Sequence, residues 1–305
     1  MIRLNYNLTK GQTVKVDDYT KESKTILVIG ATGMLGKPVA KQLLNDGFHV
    51  RVLARNPQKA QQILGDEFDI QAGDVTNSLS LRTALKDVHG VHISLKGGPS
   101  EADFERMDHH ATRDVAQLAK ESGTSRITLL SSYAVHPEKL DTPESRAKFK
   151  GEQSLKSSNV PYTIFRASWF MESLPLFVQG KTISLIGKQI HPLHWIAAQD
   201  YACMVSQSYK NNETLNKELY VFGPETHTMG DAMKIYAKNA GLKVTPISTT
   251  MLSMLGWLTF NTEWKSIAVL MKHYERWGED GSAEEAIRLL GAAKITLKEW
   301  CDKKI

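Results

Sequence analysis

The run Gly30-Ala31-Thr32-Gly33-Met34-Leu35-Gly36 carries the clearest chemistry in the sequence. It follows the apolar stretch Ile26-Leu27-Val28-Ile29 and leads into Val39, Ala40, Leu43 and Leu44, which recur at helical spacing until Gly47. The first glycine lets the chain turn off a strand, and the second lets backbone N–H groups approach an anion with no side chain between them. Gly36 permits close packing of helix on sheet. An anion at the start of such a helix meets unpaired N–H groups and the positive end of the helix dipole. The expected chemistry is pyrophosphate binding through Gly30, Thr32, Gly33, Met34, Leu35 and Gly36, with GxxGxxG in place of the dehydrogenase spacing GxGxxG; the alternative is an ordinary strand-to-helix turn without a ligand.

Arg55 stands at the end of a second strand, residues 48–54, where an NAD-binding chain presents a carboxylate to the adenosine ribose. No Asp or Glu occurs between Phe48 and Asn56. A guanidinium at that point pairs with the 2′-phosphate of NADP, so the expected cofactor is NADP, with NADPH preferred over NADH. The alternative is a solvated arginine at a strand end. Asp74 follows a third strand, residues 68–72, and either accepts the adenine amino group while Val75 packs on the ring, or caps the next helix. Leu95 and Lys96 leave a fourth strand, residues 91–95, at the carboxyl edge where doubly wound sheets bind ligands. Lys96 there reaches the cofactor phosphates or the nicotinamide ribose, or is an ordinary loop lysine.

These residues need a scaffold, and the spacing of apolar residues supplies one. Asn56-Pro57 opens a short helix closed by Gly65, residues 102–122 read as a long helix closed by Gly123, and residues 126–130 as a fifth strand. A helix over 143–157 and a strand over 162–165 follow. Such alternation predicts an α/β protein with a doubly wound parallel sheet, Rossmann-like. The dinucleotide-binding domain is expected over 24–167, with a helix at 195–209 and a strand at 218–222 returning to it. Residues 168–194 and 223–305 are expected to form a smaller, mainly C-terminal substrate lobe, and residues 1–23 a polar extension.

The chain of 305 residues is 41% hydrophobic and 23% charged, which suits one sizeable core. No apolar run approaches the roughly 20 residues that span a bilayer, and no secretory apolar core opens the chain, so cytoplasmic residence is the expectation. Cys203 and Cys301 stand far apart without a CxxC neighbour, so neither a disulfide framework nor a cysteine zinc site is expected. The formal charge of +5 comes from basic residues interleaved with 33 acidic ones, which argues against a nucleic-acid face.

The ordered motifs ILVIGATGMLG, RVLARNP, GDVTN, LLSS, Lys148-Phe149-Lys150-Gly151-Glu152, PYTIFRASWFMES and Leu297-Lys298-Glu299-Trp300 resemble the NmrA-like branch of the atypical short-chain dehydrogenase/reductase family. The resemblance implies NAD(P) binding, an adenine contact at Asp74, and backbone at Ala167 and Ser168 lying against the nicotinamide carboxamide. In that wider family a tyrosine four residues before a lysine is the acid/base, and the lysine lowers its pKa. Lys148 matches the lysine, but Glu144 stands where the tyrosine belongs. Lys148 then serves the nicotinamide ribose hydroxyls, or is a solvated lysine. Ser131 ends the fifth strand facing a substrate carbonyl or ribose, and Tyr133 is the substitute proton donor or a buried structural tyrosine.

His191 and His194 lack a completing ligand, and the adjacent His109 and His110 diverge on the expected helix, so no metal site is expected. Met251, Leu252, Met254, Leu255, Trp257, Leu258 and Phe260 form either the core of the lobe or a docking face for a small apolar substrate or a protein partner. Two functions follow. One is an NADPH-dependent reductase of a small apolar acceptor such as a quinone, enone or carbonyl compound. The other is a non-catalytic NADP(H) sensor acting through a protein partner.

Overall fold

The computed structural model describes residues 24–304, so the expected extension over 1–23 lies outside the described residues. The chain first lays down β1 (Thr25–Ile29), β2 (His49–Ala54), β3 (Asp69–Ala72), β4 (Gly90–Ile93), β5 (Arg126–Ser132) and β6 (Tyr162–Ala167). Three short strands follow, β7 (Val178–Gln179), β8 (Thr182–Ile186) and β9 (Pro192–His194), and then β10 (Lys217–Val221), β11 (Thr226–Thr228) and β12 (Lys243–Ile247). Among the described residues the main sheet is fully parallel, in the order β10-β6-β5-β4-β1-β2-β3. This is the doubly wound Rossmann-like sheet, with its order reversing between β1 and β4.

Helices cover both faces, so the central strands read as unbroken apolar runs; Ile26, Leu27 and Val28 are fully buried. One face packs Val39, Ala40 and Leu43 of the helix Gly36–Asn45 together with Tyr201, Ala202 and Val205 of the helix Ala198–Lys210. The other face takes Leu81, Val115, Ala119 and Leu155. A third core, with Met171, Leu174, Trp195, Met229 and Met233, belongs to the outer lobe, where β7, β8 and β12 form one small sheet and β9 and β11 another.

The structure redraws some expected details. Residues 101–121 run as one helical rod, but Glu105–Ala111 is π-helical. The returning helix begins at Ala198 instead of 195, because residues 192–194 form β9 against β11. The helix Glu284–Leu290, inside the segment assigned to the lobe, packs through Ala286, Leu289 and Leu290 on the main sheet's core. Finally, of the apolar residues over 251–260 only Leu252 is buried: Met251, Met254, Leu255, Trp257, Leu258 and Phe260 are exposed. They are not the core of the lobe. No helix among the described residues is long and apolar enough to cross a membrane.

Candidate functional site

Parallel register lines up the carboxyl ends of the strands. Ile29 pairs with Leu53 and Ile93, Ile93 with Leu129, and Ser132 with Ala167. The residues that follow, Gly30, Arg55, Ser94, Tyr133 and Ser168, therefore emerge along one edge of the sheet. At its centre the Gly30 backbone turns with φ +87°, and a Cβ there would lie 2.1 Å from the Ser94 carbonyl oxygen. A Cβ on Gly36 would lie 2.2 Å from the Gly30 carbonyl oxygen. Only glycine permits either approach. Gly33 donates its N–H to Gly30 at 2.9 Å, which closes the turn, whereas Thr32, Met34 and Leu35 donate no backbone hydrogen bond among the described residues. Thr32, Gly33 and Met34 are exposed, so the loop is a cradle of free donors at a helix start.

On the β2–β3 side, Arg55 is exposed and makes no hydrogen bond or ion pair among the described residues. Asp74 lies near it. The Asp74 carboxylate accepts from the Thr76 N–H at 2.9 Å and the Thr76 hydroxyl at 2.8 Å. The Thr76 N–H holds its pKa below the ordinary carboxylate value, against the opposing effect of burial and with a further pull from Arg55. Asp74 does not cap the following helix: Asn77 does, accepting from the Ser80 N–H at 3.0 Å. Val75 is buried.

On the β4–β6 side the polar groups are engaged with one another. Lys148, on the helix Pro143–Ser157, donates to Asp108 Oδ1 at 2.7 Å and lies 3.9 Å from Glu144. Burial disfavours its ammonium, but Asp108 and Glu144 outweigh that and raise its pKa. Glu144 is itself pushed up, by burial and by Asp108, against the pull of Lys148. Lys148 is thus not solvated. Together with Leu95, Asp108, Leu129 and Ser131 it lines a cavity of about 10 Å³, on the scale of a single water. Asp108 Oδ2 is buried there without a partner. Ser131 donates its proton to Glu152 Oε1 at 2.6 Å, and Glu152 is paired with Arg166 at 2.7 Å, so Ser131 offers only lone pairs to anything else. Lys96 is exposed, while Ser168 donates to the mostly buried Glu279, which also holds the His194 ring at 2.6 Å. Ala167 is buried at the strand end.

Beyond this edge lies a packed aromatic cluster. Tyr274 stacks edge-on to Trp169 at 5.0 Å and sits 5.9 Å from Tyr133, and Trp195 and Phe177 close on Trp169. The Tyr133 hydroxyl lies close to the Trp169 indole N–H, which pulls against the effect of burial, but neither group makes a hydrogen bond of good geometry. Burial keeps the Tyr133 pKa well above its ordinary value. Tyr274 comes from the helix Thr262–Arg276, which packs Trp264, Ile267 and Met271 into the same core. Ser266 ties that helix to the Pro99 carbonyl, His273 ties it to Asp141, and Gln189 donates to the Met271 carbonyl at 2.9 Å.

The sequence reading missed Asp108, Tyr274 and Glu279. Asp108 had a signal: with Thr112 and Val115 it falls on the buried stripe of its helical rod, an unusual place for a carboxylate. Tyr274 and Glu279 had none, because they reach the site from over a hundred residues away.

Residues 30–184 match the NAD(P)H-binding family, and the chain belongs to it, as an atypical NAD(P)-binding protein with an oxidoreductase-type Rossmann fold. It is 25% identical over 255 residues to the photosystem II assembly factor Ycf39 of Trieres chinensis, covering 79% of this chain and 77% of that one. It is 28% identical over 206 residues to a (4-alkanoyl-5-oxo-2,5-dihydrofuran-3-yl)methyl phosphate reductase of Streptomyces griseus, covering 67% and 69%. The fold is shared with the triphenylmethane reductase of Citrobacter sp. complexed with NADP(H), at a TM-score of 0.72 and 18% identity over 92% of this chain and 100% of that one.

Proposed function

We propose that this chain is an NADPH-dependent reductase of a small apolar acceptor, of quinone, enone or carbonyl type. One observation carries the reading: a cradle of free N–H donors, an unpaired arginine and an aromatic cluster lie along a single sheet edge. The backbone of residues 30–36 holds the pyrophosphate, Arg55 the 2′-phosphate, and Asp74 and Val75 the adenine. Leu95, Lys96, Ala167 and Ser168 border the nicotinamide end, and Lys148, fixed by Asp108, faces the ribose. The bound cofactor supplies hydride. Tyr133 stays protonated at neutral pH because of its burial, and its unpartnered hydroxyl suits an acceptor oxygen. The aromatic cluster keeps water from that end and offers ring faces to a planar acceptor. Two of the relatives are themselves reductases of organic molecules. The test is NADPH oxidation across a panel of quinones, enones and aldehydes, alongside calorimetric titration with NADPH and NADH. Turnover of at least one acceptor class is expected; tight NADPH binding with no acceptor reduced overturns the catalytic reading.

The second reading, an NADP(H) sensor acting through a protein, draws on the exposed apolar residues around Trp257 and Phe260, at the end of the helix Thr249–Leu258 that precedes Thr262–Arg276, and on the relative that is an assembly factor. It requires the oxidised and reduced cofactors to change hydrogen exchange over residues 249–276 differently. Identical exchange in the two forms removes it.

A further inference from the structure

On an α-helix two adjacent histidines point about 100° apart and cannot chelate together. The segment Glu105–Ala111 is not an α-helix. Its π-helical hydrogen bonds run from i to i+5, so each turn takes up an extra residue and the angular step between neighbours shrinks. The residues four and five places beyond Glu105 then flank it on one face. His109 Nδ1 lies 2.7 Å from Glu105 Oε1, and His110 Nε2 lies 3.7 Å from the same oxygen. The imidazole centroids are 4.8 Å apart.

We propose that Glu105, His109 and His110 form a binding site for a divalent transition-metal ion of the zinc, nickel and copper class. One ligand atom from each of the three residues falls within 4.8 Å of the others. With metal–ligand bonds of about 2.0–2.2 Å, tetrahedral ligands sit roughly 3.4 Å from one another, so side-chain rotations of about an ångström close the set. Two imidazoles and one carboxylate select borderline metals over magnesium or calcium, which take oxygen ligands, and leave positions open for water or a further ligand. The side chains are 31%, 19% and 47% exposed, so an ion enters from solvent without opening the core. Lys150 Nζ contacts Glu105 Oε1 at 2.9 Å, but that lysine is 52% exposed on a flexible stem and swings clear. It is the competing cation. Asp108, the partner of Lys148, sits on the same turn, so an ion here braces the segment that positions the buried pair.

The test titrates the untagged full chain with zinc by calorimetry and with cobalt by its visible spectrum. One equivalent is expected to bind in the micromolar range, with magnesium unable to compete. His109→Ala and His110→Ala are each expected to weaken zinc by about tenfold or more, while Lys150→Ala tightens it by removing the competitor. Circular dichroism confirms that each variant is folded. Failure of zinc to saturate the folded protein at submillimolar concentration, or undiminished binding in the His109→Ala/His110→Ala double variant, overturns the site.

Discussion

The two ends of the carboxyl edge are built differently. The end proposed to take the adenosine half comes from three successive strand ends, at Gly30, Arg55 and Asp74, and it offers backbone donors and one unattached guanidinium. The end proposed to take the nicotinamide is drawn from loops and helices between residues 95 and 280, and its groups hold each other: Lys148 with Asp108, Ser131 with Glu152, Ser168 with Glu279. Free groups can be exchanged with little effect on the fold. Interlocked buried groups cannot, because removing one strands the charge or hydrogen bond of the other. The first end should therefore separate binding from stability, and the second should couple them.

Asp108→Ala probes this contrast with the largest expected effect. It leaves the Lys148 ammonium, 14% exposed, without its closest anion, a loss of about 3–5 kcal/mol. Adding Lys148→Met should recover part of it in denaturant unfolding; strictly additive losses would show that the pair is not coupled. Gly36→Ala follows. Its Cβ meets the Gly30 carbonyl at 2.2 Å, so a loss of about 1–3 kcal/mol is expected, together with loss of NADPH binding by calorimetry. Arg55→Ala should lower NADPH affinity by about 10–100-fold, in keeping with roughly 1.5–3 kcal/mol for a hydrogen bond to a charged group. NADH affinity and melting temperature should not change. Equal affinity for the two cofactors in the unmodified protein would remove the 2′-phosphate role.

Acidification tests β4, the strand that begins the interlocked side of the edge next to β1. His92 is fully buried, and burial lowers its pKa from 6.5 to about 3. The unfolded chain then binds a proton that the folded chain refuses, so stability is intact above pH 6.5 and falls as the pH drops towards 3. The slope contributed by this one group is at most about 1.4 kcal/mol per pH unit. His92→Asn should flatten the part of the curve between pH 6.5 and 5, where carboxylates contribute little; an unaltered slope would contradict the burial argument. Trp257→Ser, at an exposed position, should change stability by no more than about 0.5 kcal/mol. A larger loss would return that residue to the core.

Much of the geometry around Gly30, Arg55 and Asp74 was legible because its determinants are local. A glycine with positive φ, a strand end and a helix start are consequences of residues a few places apart, and so were the strand order's βαβ units and the boundaries of the helix Pro143–Ser157. The departure at Glu144 was equally visible, as a carboxylate in a tyrosine's place. The divergence expected of His109 and His110 failed because it assumed an α-helix, and composition does not announce a π-turn. The reading of the apolar residues over 251–260 as core failed for the opposite reason: their apolar character was plain, but whether the lobe buries them depends on its packing as a whole.

The sequence by itself determined the glycine cradle, the arginine beside it and the alternating order that makes the sheet parallel, since each follows from backbone sterics and short-range periodicity. Only the tertiary structure decided which charges face Lys148, where the Ser131 proton goes and which aromatic residues close over the Tyr133 hydroxyl. Those contacts join residues up to 141 positions apart, and chain packing, not spacing, brings them within reach.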